Sequence, residues 1–138
     1  RYKEYFMDDA KFAVVSFGTA GRVSLSAVKA AREQGILVGL VRPISLNPFP
    51  KQFIREVAVQ VDSILVVEMN SGMMLEDVLH AAQGKTNVEF YGRMGSVMPF
   101  PGEILNEIIR ISKGPNNDKR HPRDVWLDRM ESIVKQRS

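Results

Sequence analysis

The sequence predicts a three-layer α/β/α sandwich built on a parallel sheet, and three observations predict it. Short apolar runs recur along the chain, and the first three of the four are nearly continuous rather than alternating. A strand needs that pattern when helices cover both of its faces. Between the runs the apolar period changes to that of a helix, and glycine or proline stands at the boundaries. Strand and helix therefore alternate with short connections, which is the signature of helices packed on both sides of a sheet.

The elements follow in order. Phe12-Ala13-Val14-Val15-Ser16-Phe17 is the first apolar run. Val23, Ala27, Ala30 and Ala31 then share one helical stripe whose small side chains allow close approach to a sheet, and Gly35 stands where a helix ends in a left-handed residue. Ile36-Leu37-Val38-Gly39-Leu40-Val41 is the second run. Pro50, expected at a first helical position, opens a stripe of Phe53, Ile54, Val57 and Ala58. Ile64-Leu65-Val66-Val67 is followed by Met74, Leu75, Val78, Leu79 and Ala82, ending before Gly84. Val88-Glu89-Phe90-Tyr91 alternates more than the others, which places it nearer a sheet edge, and Pro101 opens the stripe of Ile104, Leu105, Ile108 and Ile109.

The two ends differ from this repeating core. Residues 1–11 carry Tyr2, Tyr5, Phe6 and Met7 among charges, which suits a linker or a short edge strand. Residues 1–112 are expected to form one domain, and 113–138 a basic tail. In that tail a loop leads to a possible terminal helix over 124–136 presenting Trp126, Met130, Ile133 and Val134. Such a stripe must dock on the domain or on a partner. The start at Arg1 suggests a piece of a longer polypeptide.

Bulk properties exclude several classes of function. The chain has no cysteine, so it can supply neither a disulfide nor thiolate ligands to a metal or an iron–sulfur cluster. A reduced, cytoplasmic setting is expected. No apolar run approaches the roughly 18 to 20 residues of a membrane helix, and the front carries no charged-then-apolar signal segment. Residues 1–112 hold 12 Lys/Arg against 12 Asp/Glu and the tail 7 against 4, so the whole +3 excess lies in the tail. Nucleic-acid binding would instead place basic residues on a folded face, and none is expected here.

Candidate sites gather where strands end, because ligands in an open parallel sheet collect beyond the carboxyl ends of its strands. Gly18, Thr19, Ala20, Gly21 and Arg22 join the first apolar run to the first helix. The turn could hold a phosphate or carboxylate on free helix N–H groups with Arg22 beside them, or serve only as a tight turn needing glycine. It has neither the three-glycine dinucleotide pattern nor the Lys-Ser/Thr pair of a phosphate loop. Glu68 and Asn70 end the third run, with Asn70 or Ser71 expected to cap the next helix. A buried Glu68 needs a partner, and Arg42 at the end of the second run is the candidate. The loop from Arg42 to Pro50 holds Pro43, Pro48 and Pro50, which makes it stiff. Pro48 with an exposed Phe49 or Leu46 would suit a contact surface, and local packing over the sheet end is the alternative. A second such loop covers 95–101. His80 and His121 stand in no nucleophile or metal-ligand pattern, and no catalytic or metal-binding residue is assigned.

Several segments together resemble one family. Asp8-Asp9-Ala10, Val15-Ser16-Phe17-Gly18-Thr19 with Arg22-Val23, and Ala30-Ala31-Arg32 with Gly35 are similar to the C-terminal domain of the alpha subunit of 2-oxoacid:ferredoxin oxidoreductases. So are Val38-Gly39-Leu40-Val41-Arg42-Pro43-Ile44, Asn47-Pro48-Phe49-Pro50 and Val66-Val67-Glu68-Met69-Asn70-Ser71-Gly72. Their order and spacing, across about residues 4–112, carry the resemblance. Two departures are Met73, where that family usually has glutamine, and Lys11, where it tends to have glutamate.

The resemblance implies a transketolase C-terminal-like domain. Its sheet would have five strands in the order 1-3-2-4-5, with a short antiparallel first strand supplied by residues around 5–7. The full enzyme it implies decarboxylates a 2-oxoacid on thiamine diphosphate with magnesium, passes electrons through iron–sulfur clusters to ferredoxin, and forms an acyl-coenzyme A. Those cofactors would be held by other domains and none by this one. The implied partners are the subunit's own N-terminal pyrimidine-type domain and the beta subunit, with ferredoxin reached indirectly in an oligomer. Holding subunits together and bordering the active site would fall to the turn at 18–22 and to Arg42, Pro48, Phe49, Glu68 and Asn70. Alternatives are the equivalent domain of another thiamine enzyme, a free-standing domain binding an anion or phosphate at 18–22, and a purely structural dimerisation module.

Overall fold

The computed structural model describes residues 2–44, 48–69, 73–92 and 101–137. The chain runs β1 (Tyr2–Tyr5), β2 (Phe12–Ser16), α1 (Ala20–Glu33), β3 (Val38–Pro43), α2 (Lys51–Gln60), β4 (Ser63–Glu68), α3 (Met73–Ala82), β5 (Asn87–Gly92), α4 (Pro101–Ser112) and α5 (Pro122–Arg137). The strands form one sheet in the order β1-β3-β2-β4-β5, with β1 antiparallel and the rest parallel. Phe12 lies opposite both Val38 and Ser63, and Ser63 opposite Asn87, so the four parallel strands begin flush.

Burial explains the pattern of the runs. β2, β3 and β4 lie inside the sheet, and every residue of β4 is buried. Helix α1 packs on α4 and α2 on α3, giving the two outer layers. Helix α1 buries Ala20, Gly21, Ser24, Ala27, Val28 and Ala31, mostly small side chains, as close approach to the sheet requires. Gly35 and Gly84 have φ of +85° and +72°, the left-handed residues that end α1 and α3.

Two expectations shift by a few residues. The antiparallel strand lies at Tyr2–Tyr5, ahead of the expected residues 5–7. Phe6 has φ +60° and turns the chain out of the strand, while Met7 drops into the core. Arg32 from α1 fixes this turn: its guanidinium donates to the carbonyl oxygens of Phe6 (2.7 Å) and Val38 (2.8 Å) and pairs with Asp9 at 2.6 Å. Gly39 makes room for the turn, because a β carbon there would stand 2.9 Å from the Phe6 carbonyl oxygen. Pro50 takes the N-cap of α2 rather than its first turn, with ψ 67° outside the helical range, and its carbonyl accepts the Ile54 N–H.

The terminal helix docks on the body of the domain. Trp126 is 5% exposed, with its ring edge-on to Phe90 at 5.2 Å and to Tyr91 at 6.5 Å. Leu127 and Met130 of the same helix are partly buried and pack against the core beside it. Among the described residues no helix is long and apolar enough to cross a membrane.

Candidate functional site

The order β3-β2-β4 places the reversal of strand order between β2 and β4, and an open α/β sheet offers a crevice outside the carboxyl ends of such neighbours. The turn after β2 and the end of β4 meet there. Gly18 has φ +68°, a conformation that any side chain would strain. The chain then enters α1 through Thr19, whose side chain makes no capping bond, and Ala20 and Gly21 are buried beneath. Arg22 projects outward in the first helical turn. Near an uncapped helix N-terminus its cation adds to the positive end of the helix dipole.

Arg42, half-buried at the end of β3, lies across this turn. Its Nη2 donates to the Gly18 carbonyl at 3.3 Å, and its Nε is buried with no acceptor among the described residues. The side chain fits only because residue 21 is glycine: a β carbon there would stand 2.9 Å from Arg42 Cδ. Ser16 at the end of β2 and Ser24 of α1 form a buried hydroxyl pair at 3.1 Å beneath the same turn.

Glu68 does not pair with Arg42. Its carboxylate accepts the backbone N–H groups of Met74 (3.0 Å) and Leu75 (3.3 Å), which closes the N-terminus of α3. The reason is strand order. β2 separates β3 from β4, which sets the two residues two strand spacings, about 9–10 Å, apart. Each charge therefore serves its nearest free backbone groups instead. Asn70, Ser71 and Gly72, and with them the expected cap, lie outside the described residues. So do Ser45, Leu46 and Asn47 and the loop over 95–100. Phe49 is only 8% exposed and joins the core cluster, so local packing over the sheet end, not an exposed ring, describes it; Pro48 stays exposed. Phe17 and Ile44, which the sequence marked only as parts of longer segments and not as site candidates, are exposed large apolar side chains of this edge.

Among the described residues no group of His, Asp or Glu is arranged to hold a metal ion. His80 is exposed, while His121 Nε2 lies 2.6 Å from Glu76 Oε1.

A second polar cluster, unanticipated from the sequence, lies beneath α5. Arg110 of α4 pairs with Glu89 of β5 at 2.7 Å and with Glu107 at 3.0 Å, and Arg129 of α5 reaches Glu107 at 2.7 Å. Asn87 donates to Glu89 (2.9 Å) and to Ser63 Oγ (3.1 Å). Burial opposes the charge on Arg110, yet Glu107 and Glu89 together hold its pKa above the ordinary value. A cavity of about 20 Å³, lined by Arg110, Trp126 and Arg129 among others, lies in the same seam. The Glu107–Arg110 spacing was legible as a helical pair; its extension to Glu89 and Arg129 depends on contacts far apart in sequence.

Comparison with known proteins adds to this geometry. The family model described as pyruvate:ferredoxin oxidoreductase core domain II matches residues 10–104. The ketoisovalerate oxidoreductase subunit VorB of Methanothermobacter marburgensis is 45% identical over 118 residues, covering 86% of this chain and 33% of that protein. The 2-oxoglutarate synthase subunit KorA of the same organism is 40% identical over 102 residues, 74% of this chain and 27% of that protein. The chain thus spans about a third of the length of the curated relatives it matches. Among solved structures, a 2-oxoglutarate:ferredoxin oxidoreductase from Magnetococcus marinus superposes with TM-score 0.68 at 17% identity, over 81% of this chain and 20% of that one. A split-gene transketolase, an inactive beta4 tetramer, gives 0.69 at 15%, over 82% and 41%. At such identities these likenesses speak for the fold alone.

Proposed function

The chain belongs to the pyruvate:ferredoxin oxidoreductase core domain II family, and on that premise we propose that it is the C-terminal assembly domain of the alpha subunit of a 2-oxoacid:ferredoxin oxidoreductase. It borders the active site of that enzyme and holds its subunits together. The complete enzyme decarboxylates a 2-oxoacid on thiamine diphosphate, transfers the electrons through iron–sulfur clusters to ferredoxin, and yields an acyl-coenzyme A. A cytoplasmic setting fits the cysteine-free composition.

One observation carries the assembly reading. Among the described residues of the carboxyl edge, half-buried Arg42 and buried Glu68 both bond backbone groups of their own chain rather than each other. Among the described residues, the large side chains this edge presents outward include Arg22, Phe17 and Ile44, a cation beside two apolar side chains. That composition suits a contact surface, where Arg is enriched and apolar groups gain from leaving water. It does not suit general acid–base chemistry, which needs a positioned titratable group within hydrogen-bond reach of a substrate.

The cofactors of the complete enzyme do not fit the residues described here. Thiolate ligands for an iron–sulfur cluster are absent from the sequence. Among the described carboxylates of the carboxyl edge, Glu68 is bonded to the amides of α3 and Glu103, in the first turn of α4, accepts the Tyr91 hydroxyl at 2.6 Å, so neither is offered to a magnesium–diphosphate group. Those groups belong, in this reading, to the subunit's pyrimidine-type domain and to the beta subunit.

The test is Arg22→Ala in the full-length subunit. As an exposed side chain, its removal is expected to change the stability of the domain by less than about 0.5 kcal/mol. Association with the beta subunit, followed by sedimentation over a dilution series, should weaken. Unchanged association together with unchanged turnover of the 2-oxoacid would leave the turn at 18–22 without a role in contact.

A further inference from the structure

Among the described residues, strand β5 has a hydrogen-bonded neighbour, β4, on one side only. The other side of such a strand is a row of backbone donors and acceptors open to pairing. Phe90 and Tyr91 are successive residues and point to opposite faces of the sheet. Trp126 nevertheless packs against both rings, at 5.2 and 6.5 Å. A single side chain can do this only from the edge of the strand. Helix α5 also ties to both outer layers: Arg129 bonds Glu107 of α4, and His121, just ahead of the helix, bonds Glu76 of α3. The helix therefore straddles the open edge of β5 and belongs to neither layer.

This seat is poorly finished compared with the core. Four buried side-chain N–H groups lack an acceptor among the described residues, and three of them, Arg110 Nε, Arg129 Nε and Trp126 Nε1, lie in the seam under α5. Each weakens the docked state, because undocking would return it to water. The helix hangs on residues 113–121, where Gly114 has φ +139° and Pro115, Asn116 and Asn117 follow. No regular structure holds that connection to the domain. It lies, with α5, beyond the 10–104 span of the family match.

We propose that α5 is a releasable guard on the sheet edge: docked, it blocks strand addition; displaced, it opens β5 to pair with β5 of a second copy of this chain. A second copy is the fitting partner because two copies of one strand meet about a twofold axis with the same surface on both sides. Glu89 is no obstacle. Arg110 of α4 keeps its pairing with that carboxylate when α5 departs, so the exposed strand presents no unpaired charge. This inference does not rest on the oxidoreductase reading.

The experiment uses residues 1–138. Arg129→Glu sets a carboxylate beside Glu107 and should expel α5, and Trp126, the sole tryptophan, reports the release. Expected are a red-shifted emission, freer quenching by acrylamide, and a dimer in sedimentation velocity about tenfold tighter than any formed by the wild type. Hydrogen exchange should then show β5 amides that become protected as the variant dimerises. A variant with exposed Trp126 that stays as monomeric as the wild type overturns the proposal. So does one whose Trp126 remains buried, since α5 would then be a fixed part of the fold. Should Arg129→Glu fail to fold, Trp126→Ala decides by the same sedimentation and β5 exchange measurements.

Discussion

Two glycines show how the same substitution turns on what stands opposite. At Gly39 a β carbon would meet the backbone carbonyl oxygens of Phe6 (2.9 Å) and Tyr5 (3.1 Å), which Arg32 and the β1 pairing hold in place. Gly39→Ala should cost about 1–3 kcal/mol, the usual range for overpacking. At Gly21 the obstacle is the side chain of Arg42, which can swing aside at the loss of one long hydrogen bond worth about 1 kcal/mol or less. Alanine repays up to about 1 kcal/mol in helix propensity. Gly21→Ala should therefore leave the midpoint of urea unfolding almost unmoved, and in an Arg42→Ala background it should raise it. Equal losses for the two glycines would contradict this account. None of this was legible in the sequence, where Gly39 sits in an ordinary strand pattern and Gly21 in a turn read as an anion site or a tight turn. The expected Arg42–Glu68 pair failed for the same reason: the order of strands, not their sequence, decides who stands beside whom.

At the scale of elements, long apolar patterns were readable and isolated polar ones were not. Strands β2, β3 and β4 are covered on both sides, so composition alone revealed them; β5, more alternating, fell at an edge as its pattern implied. β1 reads Tyr-Lys-Glu-Tyr, which no run of apolar residues marks, and its placement came with the family resemblance. The terminal helix was expected to need a seat, yet only the fold shows that the seat is the β5 edge. Its approach is clamped by Arg120, which bonds Asp118 at 2.8 Å and also pairs with Asp128. Hydrogen bonding to that guanidinium holds the Asp118 carboxyl below its ordinary pKa. A carboxylate depressed in the folded state stabilises it above the unfolded pKa, near 4, and loses that contribution as pH falls through the folded value. Trp126 emission should hence stay constant from about pH 8 to 5 and shift toward that of exposed indole below about pH 4. Emission that stays constant down to about pH 2 would show that the Arg120–Asp118 pair does not hold the helix in place.

Across the whole molecule, protection should follow distance from the edges. β2 and β4 have neighbours on both sides and are buried apart from Phe12, so their amides should exchange only with global unfolding. β1 is a four-residue edge strand with three exposed residues, and α5 has one buried large side chain among the described residues, Trp126; both should exchange orders of magnitude faster. Native-state exchange resolved by residue would check this gradient, and uniform protection would deny it. The layers and the parallel strands of this molecule could be read from Val, Ile, Leu and Ala spacing. The carboxyl edge could be read only as a gathering of loops, because the use made of Arg42, Glu68 and Phe49 depends on neighbours brought from elsewhere in the chain.

The pairing of β1 with β3 also sets a timetable for synthesis. Tyr2 pairs with Pro43, so at about 5–20 residues per second the ribosome makes the first strand roughly 2–8 seconds before its only partner is complete. Through that interval β1 is a bare strand near other nascent chains. Its shortness, and the charges of Lys3 and Glu4 at its centre, keep it from joining a foreign sheet while it waits.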